Sequence, residues 1–246
     1  NNLFHLQFLL YLILNSKSLF IRSISALVSF LILYITFILA SRMGIILLLI
    51  LSIFYLFSLI IEKRKLKDIF KTQFGILIVP LVLSFLLSIF NLGLDSNTNP
   101  INRINSITAS EQSANGRLRY YEQSSDLFFK SPLIGLGLGS WKIKSVDTDK
   151  ENILSYVIPY TVHNDFLENA VELGLIGLIL FILIFYLPIK ESISNYLKSH
   201  DSFTLCLIAI IIIYIVDSNI NFPAIRSSQL FFLAIFINLI YYNKNI

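Results

Sequence analysis

The sequence predicts an all-α integral membrane protein: a polytopic helix bundle with one long extracytoplasmic loop containing short helices. Two observations predict it. The chain is 56 % hydrophobic and 14 % charged, with a mean hydropathy of +0.76. Its charges are also absent from long runs such as 27–40 and 44–61. Runs of about 18 or more apolar residues read as transmembrane helices. In lipid every backbone amide must be satisfied internally, and polar and apolar residues do not alternate here as a barrel requires.

Seven apolar segments follow in order: 3–14, 24–40, 43–61, 74–90, 166–187, 203–216 and 230–242. The first, sixth and seventh are short for a full span. The division is then transmembrane spans over 1–90, a polar loop over 91–165 and C-terminal spans over 166–246. Sidedness follows from lysine and arginine in short loops. "EKRKLKDIFK" (62–71) carries five cations, which assigns it to the cytoplasm. Alternation assigns the loop 91–165 to the extracytoplasmic face, with the "SR" at 41–42 and residues 217–229.

Within the loop, "NGRLRYYEQSSDLFFKSP" (115–132) reads as an amphipathic helix. Asn115 is the expected N-cap, and Leu118, Tyr121, Ser125 and Phe128 the expected face. Pro132 ends it. "PLIGLGLGSW" (132–141) alternates glycines and predicts a tight, close-packed turn. Residues 91–113 are polar and expected to be mobile.

The net charge of +4 is modest, and its cations are not interleaved with aromatics in a soluble domain, so nucleic acid is not an expected partner. Cys206 is the only cysteine, which excludes an internal disulfide. The chain starts at Asn1 and its one methionine is Met43, so a piece of a longer protein is expected.

Several residues carry two readings each. Arg42, between two spans, is either a snorkelling interfacial anchor or an anion contact. Arg117 and Arg119 are expected in the first turn of the loop helix. A cation opposes the dipole there unless an anion is bound; the other reading is a solvated charge. Arg226, in "PAIRSSQ" (223–229), reads first as an interfacial anchor. His163 precedes "NDFLENAVELG". It is either a capping-region histidine or, kept neutral beside a helix N-terminus, a general base. Asn164 or Asp165 can cap, with Glu168 completing a capping box with Asp165. "DTD" (147–149) reads as solvated. Glu172, near the outer end of the fifth span, reads as structural more than catalytic, with an arginine as the expected partner. Gly174 and Gly177 read as permitting close helix packing.

Taken as a series, "SR" (41–42), "GRLRYY" (116–121), "PLIGLGLGSW" (132–141), "HN" (163–164) and "ELGLIGLILFILIF" (172–185) resemble the O-antigen ligase/polymerase superfamily of bacterial membrane glycosyltransferases. Met43-Gly44 and Tyr120-Tyr121 depart from the usual pattern. The resemblance implies an inverting, metal-independent transfer with no cofactor, in a multi-pass protein of the bacterial inner membrane. The implied donor is a glycan on undecaprenyl diphosphate, and the implied acceptor a glycan or glycolipid on the extracytoplasmic face. It implies that Arg42 and Arg117, with Arg119 beside them, hold the diphosphate and that His163 takes the acceptor's proton. Arg226 and Glu172 are possible additions. A repeat-unit polymerase is the alternative within the family. A non-enzymatic transporter or flippase is the alternative outside it, though spans 74–90, 203–216 and 230–242 hold no charge to mark a pathway.

Overall fold

A computed structural model describes residues 3–38, 42–61, 73–92, 111–150 and 160–243. Among them every regular element is helical, and the chain is an all-α membrane protein. Among the described residues three helices are long and apolar enough to cross a membrane: Leu19–Ile38, Gly44–Ile61 and Asp165–Ser199. The cationic segment 62–71 lies outside the described residues, as do residues 93–110 of the stretch expected to be mobile; 91–92 and 111–113 of that stretch are helical.

The helices are α1 (Leu3–Asn15), α2 (Leu19–Ile38), α3 (Arg42–Ile61), α4 (Gln73–Leu92), α5 (Glu111–Lys130), α6 (Ser140–Thr148), α7 (Asp165–Ser199), α8 (Ser202–Ser218) and α9 (Ser227–Asn243). A short 3₁₀ turn, Pro223–Ile225, precedes α9. The apolar segments expected from sequence all fall on helices, with boundaries that move by a few residues.

The chain forms two compact units. One comprises Asn1–Thr108 with Ser192–Ile213, the other Ala109–Glu191 with Tyr214–Ile246. The expected division followed the membrane boundary; the compact units follow packing.

In the first unit, α2 packs on α1 and α4. Its buried residues Ser25, Ser29, Ile32, Leu33 and Phe37 recur at helical spacing along one face. The two serines let neighbouring backbones approach closely. Leu6 and Leu10 of α1, and Leu47 and Leu51 of α3, are wholly buried. A polar contact crosses this oily interior: the Tyr55 hydroxyl donates to Gln7 Oε1, and both residues are fully buried.

The second unit holds the polar layer. Its core joins Leu127 of α5, Trp141 of α6, Val162, and Val171 of α7. Tyr120, Tyr121, Phe128, Leu136 and Leu167 pack around them. Two expectations change here. Helix α5 begins at Glu111, so Asn115 lies inside it and is no N-cap. An acid in the first turn, which the sequence has at Glu111, suits the dipole better than the cations further on. The buried face is also different. Ser124 and Leu127 are buried while Leu118 and Ser125 are exposed, because the aromatic pair turns toward Trp141 and Val162.

The fifth apolar segment is not one helix. Gly174 has φ 67° and ψ −164°, which divides α7 into a short N-terminal helix and a long span. The glycine breaks the helix; close packing of intact helices is not its role. Backbone groups freed by the break are taken up by the turn after Pro132. Leu175 and Ile176 donate to the carbonyls of Pro132 and Leu133 at 2.8 and 3.3 Å. In return Leu136 and Gly137 donate to the carbonyls of Val171 and Glu172 at 2.9 Å each. Gly135 sits in the crossing at φ 73°. A Cβ on Gly135 would lie 2.4 Å from the Glu172 carbonyl, and one on Gly174 2.4 Å from the Leu133 carbonyl. The "PLIG" and "ELG" stretches are two halves of one backbone clasp.

Candidate active site

The clasp fixes the short N-terminal helix of α7, and His163 lies just before it. Asn164 is the cap: its Oδ1 accepts from the amides of Phe166 and Leu167 at 3.0 and 3.1 Å. The capping box expected between Asp165 and Glu168 does not form. Asp165 Oδ2 instead accepts from the Ala224 amide at 3.0 Å, tying in the 3₁₀ turn. Glu168 Oε2 accepts from the Val162 amide at 3.0 Å, which holds the segment leading to His163. Both carboxylates were free for this because Asn164 already satisfies the helix amides.

His163 has φ 61°, a left-handed conformation uncommon outside glycine. Its ring is only half-buried, yet Nδ1 is buried and makes no hydrogen bond. The ring lies parallel to Tyr120, with centroids 6.5 Å apart, and edge-on to Phe222 at 5.1 Å. The expectation of a ring simply facing water is therefore replaced by one held between two aromatics. Tyr121 completes the surround. Its hydroxyl lies within hydrogen-bonding distance of the carbonyls of His163 and Asn219, at 3.3 and 3.2 Å. Asn164 Nδ2 donates to the same Asn219 carbonyl at 3.2 Å.

Burial pushes the His163 pKa below its ordinary value, and the positive charge of Arg117 pushes it the same way. Both effects favour the neutral ring. Burial raises the Tyr121 pKa, with Arg117 opposing. One guanidinium thus acts on both the histidine and the phenol beside it.

The arginines divide by what they already hold. Arg119 Nε lies 2.7 Å from Asp149 Oδ1, a close ion pair without hydrogen-bond alignment, while its Nη2 donates to Oδ2 at 3.1 Å. Gln123 also donates to Asp149, at 3.0 Å. Asp149 is buried, so the solvated reading of "DTD" holds for exposed Asp147 and fails for Asp149. Arg119 also covers the Tyr120 ring at 5.4 Å. Arg226 stacks on Phe222 at 5.2 Å, one ring from His163, and so stands closer to the site than an interfacial anchor need be. Among the described residues Arg117 has neither contact, and it lies beyond the first turn of α5. The helix-terminus argument for an anion at Arg117 and Arg119 accordingly does not apply.

Glu172 is buried, and Oε1 accepts from the Trp141 amide at 3.3 Å, at the start of α6. It anchors a helix; among the described residues it pairs with no arginine. Arg42 opens α3, and its side chain lies outside those described. The residues sequence reasoning missed are Tyr120, Tyr121 and Phe222. The Tyr-Tyr pair was visible in "GRLRYY", but its facing depended on where α5 begins. Phe222 gave no signal beyond the proline after it. Among the described residues no three of His, Cys, Asp and Glu are grouped as metal ligands would be. The positive charges about His163 are guanidinium groups.

Fold and site together define a polytopic helical membrane protein with one polar layer, where a neutral histidine stands among arginines and aromatic rings. A family model described as O-antigen ligase matches residues 27–182, well over half of the 246 residues. The chain belongs to the O-antigen ligase family, a family of membrane glycan ligases and polymerases. The matched region contains Arg42, Arg117, Arg119, His163 and Glu172 and stops before Arg226. A protein of Rickettsia conorii, provisionally named a polysaccharide ligase, is 36 % identical over 91 residues. That match takes in 35 % of this chain and 22 % of the relative's length.

Proposed function

We propose that the protein transfers a glycan from an undecaprenyl-diphosphate donor to a hydroxyl of an acceptor glycan or glycolipid, on the extracytoplasmic face of the bacterial inner membrane. The observation that carries this is the His163 ring: neutral, clamped between Tyr120 and Phe222, with an unpaired buried nitrogen and Arg117 beside it. A neutral imidazole accepts a proton, and the backbone conformation at His163 is one a side chain keeps only where its surroundings enforce it.

In the reaction the acceptor oxygen attacks the anomeric carbon of the donor sugar. Its proton passes to His163. The bond from that carbon to the diphosphate oxygen breaks, and undecaprenyl diphosphate departs with the electron pair. A single displacement inverts the anomeric centre. Negative charge grows on the departing diphosphate, and a guanidinium aimed there stabilises the transition state. Arg117 is the group assigned to it, with Arg42 as the second phosphate contact. Arg119, already paired with Asp149, is a positioning residue that holds α6 and Tyr120. Arg226 positions Phe222. No step calls for a metal or a cofactor.

The test is transfer of a lipid-linked glycan in membranes, with donor binding measured alongside. His163→Ala should abolish most turnover and keep donor binding; Arg117→Ala should weaken both. Wild-type turnover in both variants would sink the assignment. Supplying a lipid A-core acceptor or a second lipid-linked repeat unit separates ligase from polymerase.

A further inference from the structure

The polar layer turns an apolar edge outward. From the end of α5 to the start of α6, Phe129, Leu133, Ile134, Leu138 and Ile143 are each 63 to 80 % exposed. The hairpin does not lack an interior for them. Leu127, Leu136 and Trp141, interspersed along the same stretch, are drawn into the core. Two sets of apolar residues therefore face opposite ways, one into protein and one away from it. An exposed apolar edge of this kind marks an interaction surface.

Two observations say what covers it. The clasp fixes Pro132 and Leu133 to the first residues of the span by the bonds from Leu175 and Ile176. Leu175, Ile176, Ile179 and Leu180 are themselves exposed, as lipid-facing residues of a membrane span are. The turn thus continues the lipid-facing side of α7. Charge is the second observation. From 129 to 146 the sequence has Lys130, Lys142 and Lys144 and no acid, and all three lysines are exposed. The exposed acids Glu122, Asp126 and Asp147 lie outside that stretch. Lysines beside an apolar edge suit an anionic headgroup layer, where their attraction falls off within a Debye length.

We propose that the α5–α6 hairpin is seated on the bilayer that holds the spans, with Phe129, Leu133, Ile134, Leu138 and Ile143 among the upper acyl chains and the three lysines at anionic headgroups. The seat fixes the height of the adjoining layer, His163 included, relative to lipid phosphates. It does not rest on the transfer reaction and stands or falls without it.

The whole chain is reconstituted in phosphatidylethanolamine–phosphatidylglycerol vesicles, with a fluorescent label on Leu138→Cys, Ile134→Cys or, as reference, Asp147→Cys. Cys206 is buried, and the labelled parent gives the blank. Leu138 projects from the surface, so its replacement leaves the core intact. Labels at 138 and 134 should be blue-shifted, quenched by nitroxide lipids and shielded several-fold from iodide, and the label at 147 the reverse. Iodide quenching at 138 equal to that at 147 would put the edge in water and overturn the proposal. Shielding from both quenchers would show a protein cover, such as a second copy, and overturn it equally. Replacing phosphatidylglycerol by phosphatidylcholine should raise iodide access at 138, as should Lys142→Glu with Lys144→Glu. No change in either would remove the headgroup contact from the proposal.

Discussion

In the first compact unit a helix meets its neighbours through side chains; around Gly174, in the second, it meets them through backbone. The face of α2 that buries Ser25, Ser29 and Leu33 tolerates adjustment, because apolar side chains repack. The clasp between residues 132–137 and 171–176 has four backbone bonds and two glycines with no room for a Cβ. A helix that only spans a bilayer needs length and oiliness. A helix that delivers a histidine needs a fixed register, and backbone contacts supply it.

The sharpest way to break that contrast is Gly174→Ala. The added carbon would meet the Leu133 carbonyl at 2.4 Å, at φ 67° and ψ −164°, a backbone region essentially confined to glycine that costs about 1–3 kcal/mol before any clash. Expected is loss of the folded polar layer, read as lowered melting temperature and lost transfer in membranes. Gly116→Ala is the control: it lies in α5 with nothing within 4 Å, and it should gain up to about 1 kcal/mol of helix stability. Equal tolerance at both positions would mean the clasp does not hold the site.

Next in size is His163. Removing a positioned base costs typically ~10²–10⁴-fold in rate. Asn tolerates left-handed backbone better than Ala, so His163→Asn tests chemistry with less strain. Melting should stay near wild type while turnover falls. The pH profile adds a sign. Because the folded pKa is lowered, the neutral base persists below the ordinary value of about 6.5 and is lost only as pH falls through the lowered value. Stability follows the same direction: protonation is easier in the unfolded chain, so acid destabilises the fold. Arg117→Ala removes one lowering cause and should move the acid limb of the rate profile to higher pH. A limb that does not move would detach Arg117 from His163.

How much of this was legible follows the same division. Apolar runs showed the helices directly, because lipid imposes one rule on every residue of a span. The order Arg, Gly-Arg-Leu, Pro-Leu-x-Gly-x-Gly, His-Asn, Glu-x-Gly pointed to the family. What it could not show was Gly174, since a glycine that breaks a helix and one that packs a helix look alike until φ is known. Nor could it show Asp149. A lone "DTD" in a polar loop carries no sign that Arg119 and Gln123 reach it from α5. Capping by Asn164 and not Asp165 was a choice between neighbours that the sequence leaves open, since both side chains can cap.

The Arg119–Asp149 pair sharpens the comparison within the polar layer. Asp149 is 2 % exposed and Arg119 35 %, so breaking one partner leaves a poorly solvated charge. Removing one side of a buried pair costs up to about 3–5 kcal/mol, less here because Arg119 is partly in water. Arg119→Ala should lower the melting temperature, and Asp149→Asn with Arg119→Gln should recover part of it. Arg117→Lys should do the opposite: unchanged melting, with weakened donor binding because the planar fork is gone. If Arg119→Ala spared stability and cost only donor binding, Arg119 would join Arg117 at the phosphates.

The smallest expected effect lies in the first unit. Tyr55→Phe deletes the hydroxyl that donates to Gln7 Oε1, in a site where both residues are fully buried. Soluble-protein reasoning expects a large penalty for the orphaned carbonyl. Hydrogen bonds between membrane helices average only about 0.6 kcal/mol, because the unfolded chain in lipid finds partners too. Gln7 Nε2 already lacks a partner, so the amide is free to rotate and use its own helix backbone. The ring of Phe keeps the packing that Tyr55 supplies. Unfolding in bicelles should therefore shift by no more than about 1 kcal/mol, within the range seen for such bonds, and glycan transfer should be unchanged. A loss of transfer with folding intact would mean that this unit's interior sets the geometry of the site. The contrast drawn between side-chain packing and backbone clasp would then fail on the side where it is least expected to.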